Sequence, residues 1–573
     1  MRRRYLYNFY IALALLVPCC ALLGCAHLSP DVPVIEQEKS KTNRADSYYH
    51  YMKGVLHSLH DETDKAVNEY TRALGVHPCS PYLAMELASS HLQKNDIDGA
   101  VAILEASVRQ NPDHVDTHIL LGTFYERMQE HDKAVRHYRT AIELEPELPD
   151  PYLLLSTVYR NQKNYDAARS VLEELLCINF DNAMAAYQLA HVYLEMRNLD
   201  KAKYWLRRTL TLEPGFSSAM KDLAVIFEHE QDLEEAVSLY RQYLDFIPRD
   251  MAARARLGNL LLNRGLYREA AAEFETILDQ GSYGVDIRLS LGLAYLFGEI
   301  NLEKSTEIFR DLVNENPDDE RARYFLAVSY QEQGEKELAL EEFGRITPSS
   351  SVFAPSRIQM SLILNLEGKT AEAVRIIDKA IVAKNDEPDL YLVLASLHED
   401  TGDIDRSEKI LRMGLAILPE STDIIYRLGL IYEKRRQFDK AIDLMRDILA
   451  IDPENAEALN FIGYSYADRG INLDEAETMI LKALQLKPGS GHIIDSLGWV
   501  YFRQNRIAEA LEQLEKAREF LPDDPTVAQH LGDVYELNGR YEEALEIYRK
   551  ALDHTPDDSE IKRKIENLKK MMP

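Results

Sequence analysis

The chain has 573 residues, 46% of them hydrophobic and 28% charged, several times the length one hydrophobic core supports, so it is either multidomain or an array that grows in one dimension. Its 25 glycines and 22 prolines are too few for a collagenous or low-complexity chain. A formal charge of −29 repels phosphate, which disfavours nucleic acid as a partner, and repels anionic lipid headgroups equally.

Residues 1–24 read as an export signal, in which Arg2, Arg3 and Arg4 are followed by an apolar run over residues 11–23. The run is short for a bilayer span. It ends in Leu22-Leu23-Gly24-Cys25, which resembles the lipobox of bacterial lipoproteins, where a small residue precedes the cysteine that receives diacylglycerol before cleavage. The resemblance implies that Cys25 carries lipid and becomes the first mature residue. An ordinary secretory signal cut elsewhere and an uncleaved anchor are the other readings, and the opening arginines with Tyr5 and Leu6 loosely resemble a twin-arginine signal. Ala26 follows the cysteine, which in the enteric sorting scheme implies the outer membrane. Residues 25–46 hold two prolines among mostly polar groups and read as a lipidated cysteine with a flexible tether. Several acyl chains would hold so acidic a chain where one would be marginal. Beyond Cys25 only Cys79 and Cys177 remain. They read as two packed thiols near helix ends rather than a bridge.

From residue 47 a period of 34 residues runs through the chain, clearest at residues 115–148, which carry Leu121, Gly122, Tyr125, Ala134, Tyr138, Ala141 and Pro146. These residues resemble the tetratricopeptide pattern. The resemblance implies an all-α, right-handed superhelical solenoid of about 15 helix pairs, each with a helix A and a helix B. The frame gives repeats 1–9 over residues 47–353, repeats 10–15 over residues 354–558 and a capping helix over residues 559–573. Position 8 is Gly, Ala or Ser in every repeat, and position 20 is Ala in thirteen and Ser in the other two, Ser305 and Ser407. Small residues there let the two helices of a pair approach. Position 11 supplies a larger filler such as Tyr125, Tyr432 or Tyr535, and a proline at position 32 ends helix B in eleven repeats.

Repeats 4, 7, 9 and 10 lack that proline, so stacking is expected to be loosest between roughly residues 280 and 355. Repeats 8 and 13 each take one extra residue, near Ile300 and Ile471. At the end, Ile561, Ile565 and Leu568 share one helical face while Lys562, Arg563, Lys564, Lys569 and Lys570 lie elsewhere. This reads as a solvating cap, with a basic docking site as the alternative.

Signal, tether, repeats and cap account for nearly every residue, and no nucleotide, metalloprotease or hydrolase motif occurs, so neither an enzyme nor a cofactor is expected. Helix A of such repeats lines a concave groove. In repeats 13 to 15 its groove positions are Asn460, Tyr464, Asp495, Trp499, Phe502, Gln529 and Asp533. Aromatics beside amides and acids suit an extended peptide, whereas packing of Trp499 and Phe502 against a neighbouring repeat is the plainer reading. The stretch from Asn460 to Ala517 resembles the C-terminal part of large tetratricopeptide lipoproteins of Gram-negative bacteria. That resemblance implies an envelope scaffold for assembly or secretion, held to a membrane through Cys25 and binding other envelope proteins, or else a component of exopolysaccharide export.

Overall fold

The computed structural model describes residues 34–281, 284–556 and 558–571. The signal, Cys25 and residues 26–33 lie outside them. Among the described residues the chain forms 31 helices and no strand, and it divides into two compact units, Met1–Leu260 and Leu261–Pro573. The division falls within the helix Met251–Asn263, earlier than the stretch expected to be loosest.

In the first unit the opening helix is Val34–Leu59, 26 residues long, and it pairs with Thr63–Val76. The segment read as a flexible tether is therefore helical from Val34 onward. The physical reason is in the sequence: Pro30 and Pro33 both precede the helix, and residues 34–53 contain neither Gly nor Pro. Ser47 is buried and its hydroxyl donates to the Ala73 carbonyl at 3.1 Å, so helix packing is established at the frame's first residue. Pairs then follow as Pro81–Gln93 with Ile97–Gln110, Val115–Arg127 with His131–Leu144, Pro149–Asn161 with Tyr165–Ile178, Ala183–Glu195 with Leu199–Leu212, and Ser217–His229 with Leu233–Phe246. Helix starts are fixed chemically: the side chains of Ser80, Asn182, Asp96 and Asp232 accept hydrogen bonds from the amides three residues on. Cys79 and Cys177 are free thiols and both are exposed, which corrects the expectation that they pack. Cys177 sits one residue from the end of its helix, on the face turned from the core.

In the second unit most B helices have 14 residues, but Tyr267–Leu278 has 12 and Lys336–Gly344 only nine. These are the B helices of repeats 7 and 9, which lack the terminating proline. The short helix is closed from outside, because the Arg357 guanidinium donates to the carbonyls of Phe343 (2.5 Å), Gly344 (3.4 Å) and Ile346 (2.6 Å). The extra residues of repeats 8 and 13 are absorbed in the A-to-B turns, where Glu299 and Asn472 take positive φ. The helix Ser559–Met571 lays Ile561, Ile565 and Leu568 into the core and leaves Lys562 and Arg563 exposed.

The small residues at position 8 face more than helix B's small position. A Cβ on Gly463 would lie 3.0 Å from the Ala476 carbonyl at position 20, and the Ser305 hydroxyl donates to the Gly292 carbonyl at 2.9 Å, so the two positions do meet. The tighter contact is with position 24. A Cβ on Gly54, Gly122 or Gly532 would fall 2.5, 2.7 and 2.5 Å from the rings of Tyr70, Tyr138 and Tyr548. Those rings are at most 1% exposed. Position 8 is thus a socket for the side chain at position 24.

Position 11 joins repeats rather than merely filling them. The hydroxyls of Tyr125, Tyr193, Tyr295 and Tyr535 donate to Glu105, Glu173, Glu275 and Glu515, each twenty residues earlier on helix B of the preceding repeat. Arg310 and Arg446 meet Tyr330 and Tyr466 in the same register, donating to their hydroxyls. An apolar ring with a polar tip spans the junction between a buried core and a wet outer face.

Candidate functional site

Helix A of repeats 12 to 15 runs over Thr422–Lys434, Ala456–Arg469, Gly491–Arg503 and Pro525–Leu537. The seven groove positions fall on the last three, and the structure divides them into two groups. Asp495, Trp499 and Asp533 are engaged within the protein; Asn460, Tyr464, Phe502 and Gln529 are half-buried on the same face.

The first group centres on His530, a residue the sequence reading did not single out. Asp495 and His530 are each 5% exposed, and the His530 Nδ1–H donates to both Asp495 carboxylate oxygens at 3.0 and 2.9 Å. Trp499 lies flat on the imidazole, with ring centroids 4.1 Å apart and planes at 17°. On the side of its own helix Trp499 stacks with Phe502 at 4.9 Å, and Tyr464 stands 6.1 Å from the imidazole. Aromatic stacking and a buried His–Asp hydrogen bond together tie repeat 14 to repeat 15. The plainer reading of Trp499, packing on a neighbour, is the one the structure has. Asp533 accepts from the Tyr548 hydroxyl and from the Lys564 ammonium at 2.6 and 2.8 Å, fastening the last repeat to the terminal helix.

The signal that finds His530 is a spacing of 35. Several helix A residues that touch across a repeat junction stand one repeat plus one residue apart, Asn161 and Glu126 among them. Tyr187 donates to Asp222 at 2.8 Å in the same register, with His191 Nε2 on that carboxylate at 2.9 Å.

The second group borders an acidic, partly desolvated surface. Burial raises the Glu433 carboxyl above its usual value, with a further contribution from Asp468. Burial likewise pushes the Tyr464 hydroxyl up, reinforced by Asp468, Asp495 and Glu433. Two polar atoms here are buried with no hydrogen-bond partner in the chain: Asn460 Oδ1 and Trp499 Nε1. Leaving such a group unmet costs about 1–3 kcal/mol, so a water or a ligand normally completes it. Among the described residues no group of His, Cys, Asp and Glu is arranged to hold a metal, and no helix is long and apolar enough to cross a membrane.

An all-α solenoid of stacked helix pairs with small, socket and latch residues at fixed register is a repeat protein whose surfaces serve protein–protein interaction. Sequence comparison names the repeat: family profiles described as Tetratricopeptide repeat match residues 160–224 and 501–568, residues 51–115, 255–297 and 426–491, and residues 117–152. These stretches are tetratricopeptide repeats. The TPR repeat-containing protein PA4667 of Pseudomonas aeruginosa is 26% identical over 193 residues, which are 33% of this chain and 32% of that protein. The match thus spans about a third of the relative's length. Among solved structures, yeast Tom70 is 16% identical with a TM-score of 0.37, covering 80% of this chain and 96% of its own. The Cut9–Hcn1 assembly is 15% identical with a TM-score of 0.36, covering 94% and 99%.

Proposed function

We propose that the protein is a lipid-anchored scaffold of the Gram-negative cell envelope, attached through Cys25 to the outer membrane and facing the periplasm, where helix A of repeats 12 to 15 holds an extended segment of another envelope protein in assembly or secretion. The observation that carries the binding half is the set of half-buried side chains on one helix A face, Asn460, Tyr464, Phe502 and Gln529. The amides of Asn460 and Gln529 match the donors and acceptors of a peptide backbone, and aromatic rings supply contact area at small entropic cost. Support for the anchor comes from the lipobox-like residues before Cys25 and from the acidity of the chain, which leaves a covalent lipid as the simplest hold on an anionic surface.

The test is affinity capture from detergent-solubilised envelope, comparing the native protein with Asn460→Ala/Gln529→Ala. These side chains are half-buried and do not fasten repeats, so the fold is expected to persist while the captured set shrinks. An unchanged set of captured proteins removes this groove as the site. Cys25→Ser is expected to turn stable membrane attachment into weak association that washing reverses, and attachment as stable as the native protein's defeats the anchor.

A further inference from the structure

The first repeat leaves open a face that each later repeat covers. On the opening helix Val34–Leu59, Tyr48 is 64% exposed, Tyr49 58%, Met52 48%, Leu56 53% and Leu59 59%. Tyr49 and Leu56 occupy positions 3 and 10 of the repeat. In repeats 5 and 6 those positions are Ala185 and Val192, both 0% exposed, and Ala219 and Ile226, at 0% and 6%. There they pack under the preceding helix B. An array end in water is ordinarily polar, yet here five large apolar side chains within twelve residues face outward.

The opposite face of this helix is fixed. His50 Nδ1 meets the buried Glu69 at 2.6 Å, and at the edge of the stripe Lys53, which lies 5.4 Å over the Tyr49 ring, reaches the same carboxylate at 3.4 Å, so rotation cannot hide the stripe. Two observations say what covers it. Val34 stands nine residues after Cys25, a stretch that reaches about 30 Å at most when extended, so a lipid on Cys25 keeps this end of the protein at the bilayer. The segment also departs from the chain's acidity: over residues 34–60 the cations Lys39, Lys41, Arg44 and Lys53 outnumber the acids Glu36, Glu38 and Asp46. Tyrosines with an apolar body and a polar tip, flanked by basic side chains, favour the headgroup boundary.

We propose that the Tyr48–Tyr49–Met52–Leu56–Leu59 face docks on the lipid surface as a second, reversible membrane contact beside the acyl chains. This rests on the anchor reading for its geometry. Covalent attachment and face docking are separable, since the first needs Cys25 and the second does not.

The experiment takes the full mature chain with Cys25→Ser and measures co-sedimentation with vesicles of phosphatidylethanolamine containing a minor share of phosphatidylglycerol. The expected result is measurable binding that falls roughly tenfold or more in Tyr49→Ser/Leu56→Ser, each change removing a large apolar group from the contact, and that is untouched by Tyr204→Ser, an equally exposed tyrosine elsewhere. Circular dichroism checks that the variant keeps its helices. Equal sedimentation of the stripe variant overturns the proposal. So does a chain that ignores vesicles but is a dimer in sedimentation equilibrium and becomes a monomer in the stripe variant, which makes a second copy the occupant. The mass of the native N-terminus, read separately, decides acylation: an unmodified Cys25 defeats the anchor while the vesicle measurement still decides the face.

Discussion

Replacing Gly122 with alanine tests the socket at position 8 directly. The new Cβ would lie 2.7 Å from Tyr138 Cε1, 2.9 Å from Cδ1 and 3.0 Å from Cζ. Real Cβ contacts are longer, so something must move. The ring is fully buried and its hydroxyl lies 3.2 Å from Thr123 Oγ1, which resists displacement. Overpacking of this kind costs about 1–3 kcal/mol. Against it stands the helix-propensity gain of alanine over glycine, about 1 kcal/mol. The net expectation is a loss of up to about 2 kcal/mol, confined to repeat 3 and its neighbours because stability in stacked arrays is local. A second change should rescue the first. Repeats 2 and 5 carry Ala88 with Leu104 and Ala190 with Leu206 at the same positions, all fully buried or nearly so. Gly122→Ala/Tyr138→Leu reproduces that pairing, whereas Tyr138→Leu alone leaves a void costing about 2 kcal/mol or more. Native-state hydrogen exchange of amides in Val115–Arg127 and His131–Leu144 reads the local free energy. The double variant should be better than the sum of the singles by about 1–2 kcal/mol. Additive losses would refute the pairwise socket, and a stabilised Gly122→Ala would refute the close contact itself.

Trp499→Ala should loosen the junction of repeats 14 and 15 by about 3–5 kcal/mol, seen as early proteolysis or faster exchange in Pro525–Leu537, while Phe502→Ala, half-buried, should cost far less. Arg357→Ala strips the short helix Lys336–Gly344 of its external donors, and cleavage at residues 345–352 should accelerate by an amount equivalent to about 1–3 kcal/mol. Arg197→Gly replaces an L-residue held at φ +57° by one that adopts that conformation freely, and should raise the local unfolding free energy by roughly 0.5–1 kcal/mol. His137 carries a pH signature: burial, then the neighbouring His118, lowers its pKa to about 4. The unfolded chain binds the proton more readily, so this contribution is complete above about pH 6.5 and is lost as pH falls to about 4. His137→Gln should flatten that limb of an acid titration followed by circular dichroism.

The repeat register was legible because its constraints fall on single positions. A small residue at position 8 or 20 recurs whatever its neighbours are, and the frame finds it. Position 24 was legible as a large residue, Tyr138 in the clearest repeat, but its fit into position 8 was not, since the fit is pairwise: Tyr138 opposite Gly122 and Leu206 opposite Ala190 satisfy the same geometry with different residues. His530 escaped for a related reason. Its partner Asp495 lies 35 residues away, whereas a 34-residue frame aligns equivalent positions rather than touching ones. The tether from residue 25 was judged on its prolines, yet both sit upstream of Val34, and the charged residues that follow are good helix formers. The exposed thiols of Cys79 and Cys177 show the opposite limit: proximity to a helix end does not say which way a side chain turns.

The two ends of the array were built differently, and that difference carries the functional argument. At the C-terminal end Asp533, Tyr548 and Lys564 knit the last repeat to a helix whose outer face is charged, and Ile561, Ile565 and Leu568 are spent inward. Among the described side chains of that helix, residues 559–570, no large apolar group stays exposed. At the N-terminal end the apolar pattern of an interior repeat continues to the surface, with Tyr49 and Leu56 where later repeats bury Ala185 and Val192. Stacking energy that is satisfied at one end and unsatisfied at the other directs association to the unsatisfied end. On the proposed reading, a partner segment held by helix A of repeats 12 to 15 and a lipid surface at the open end engage different residues.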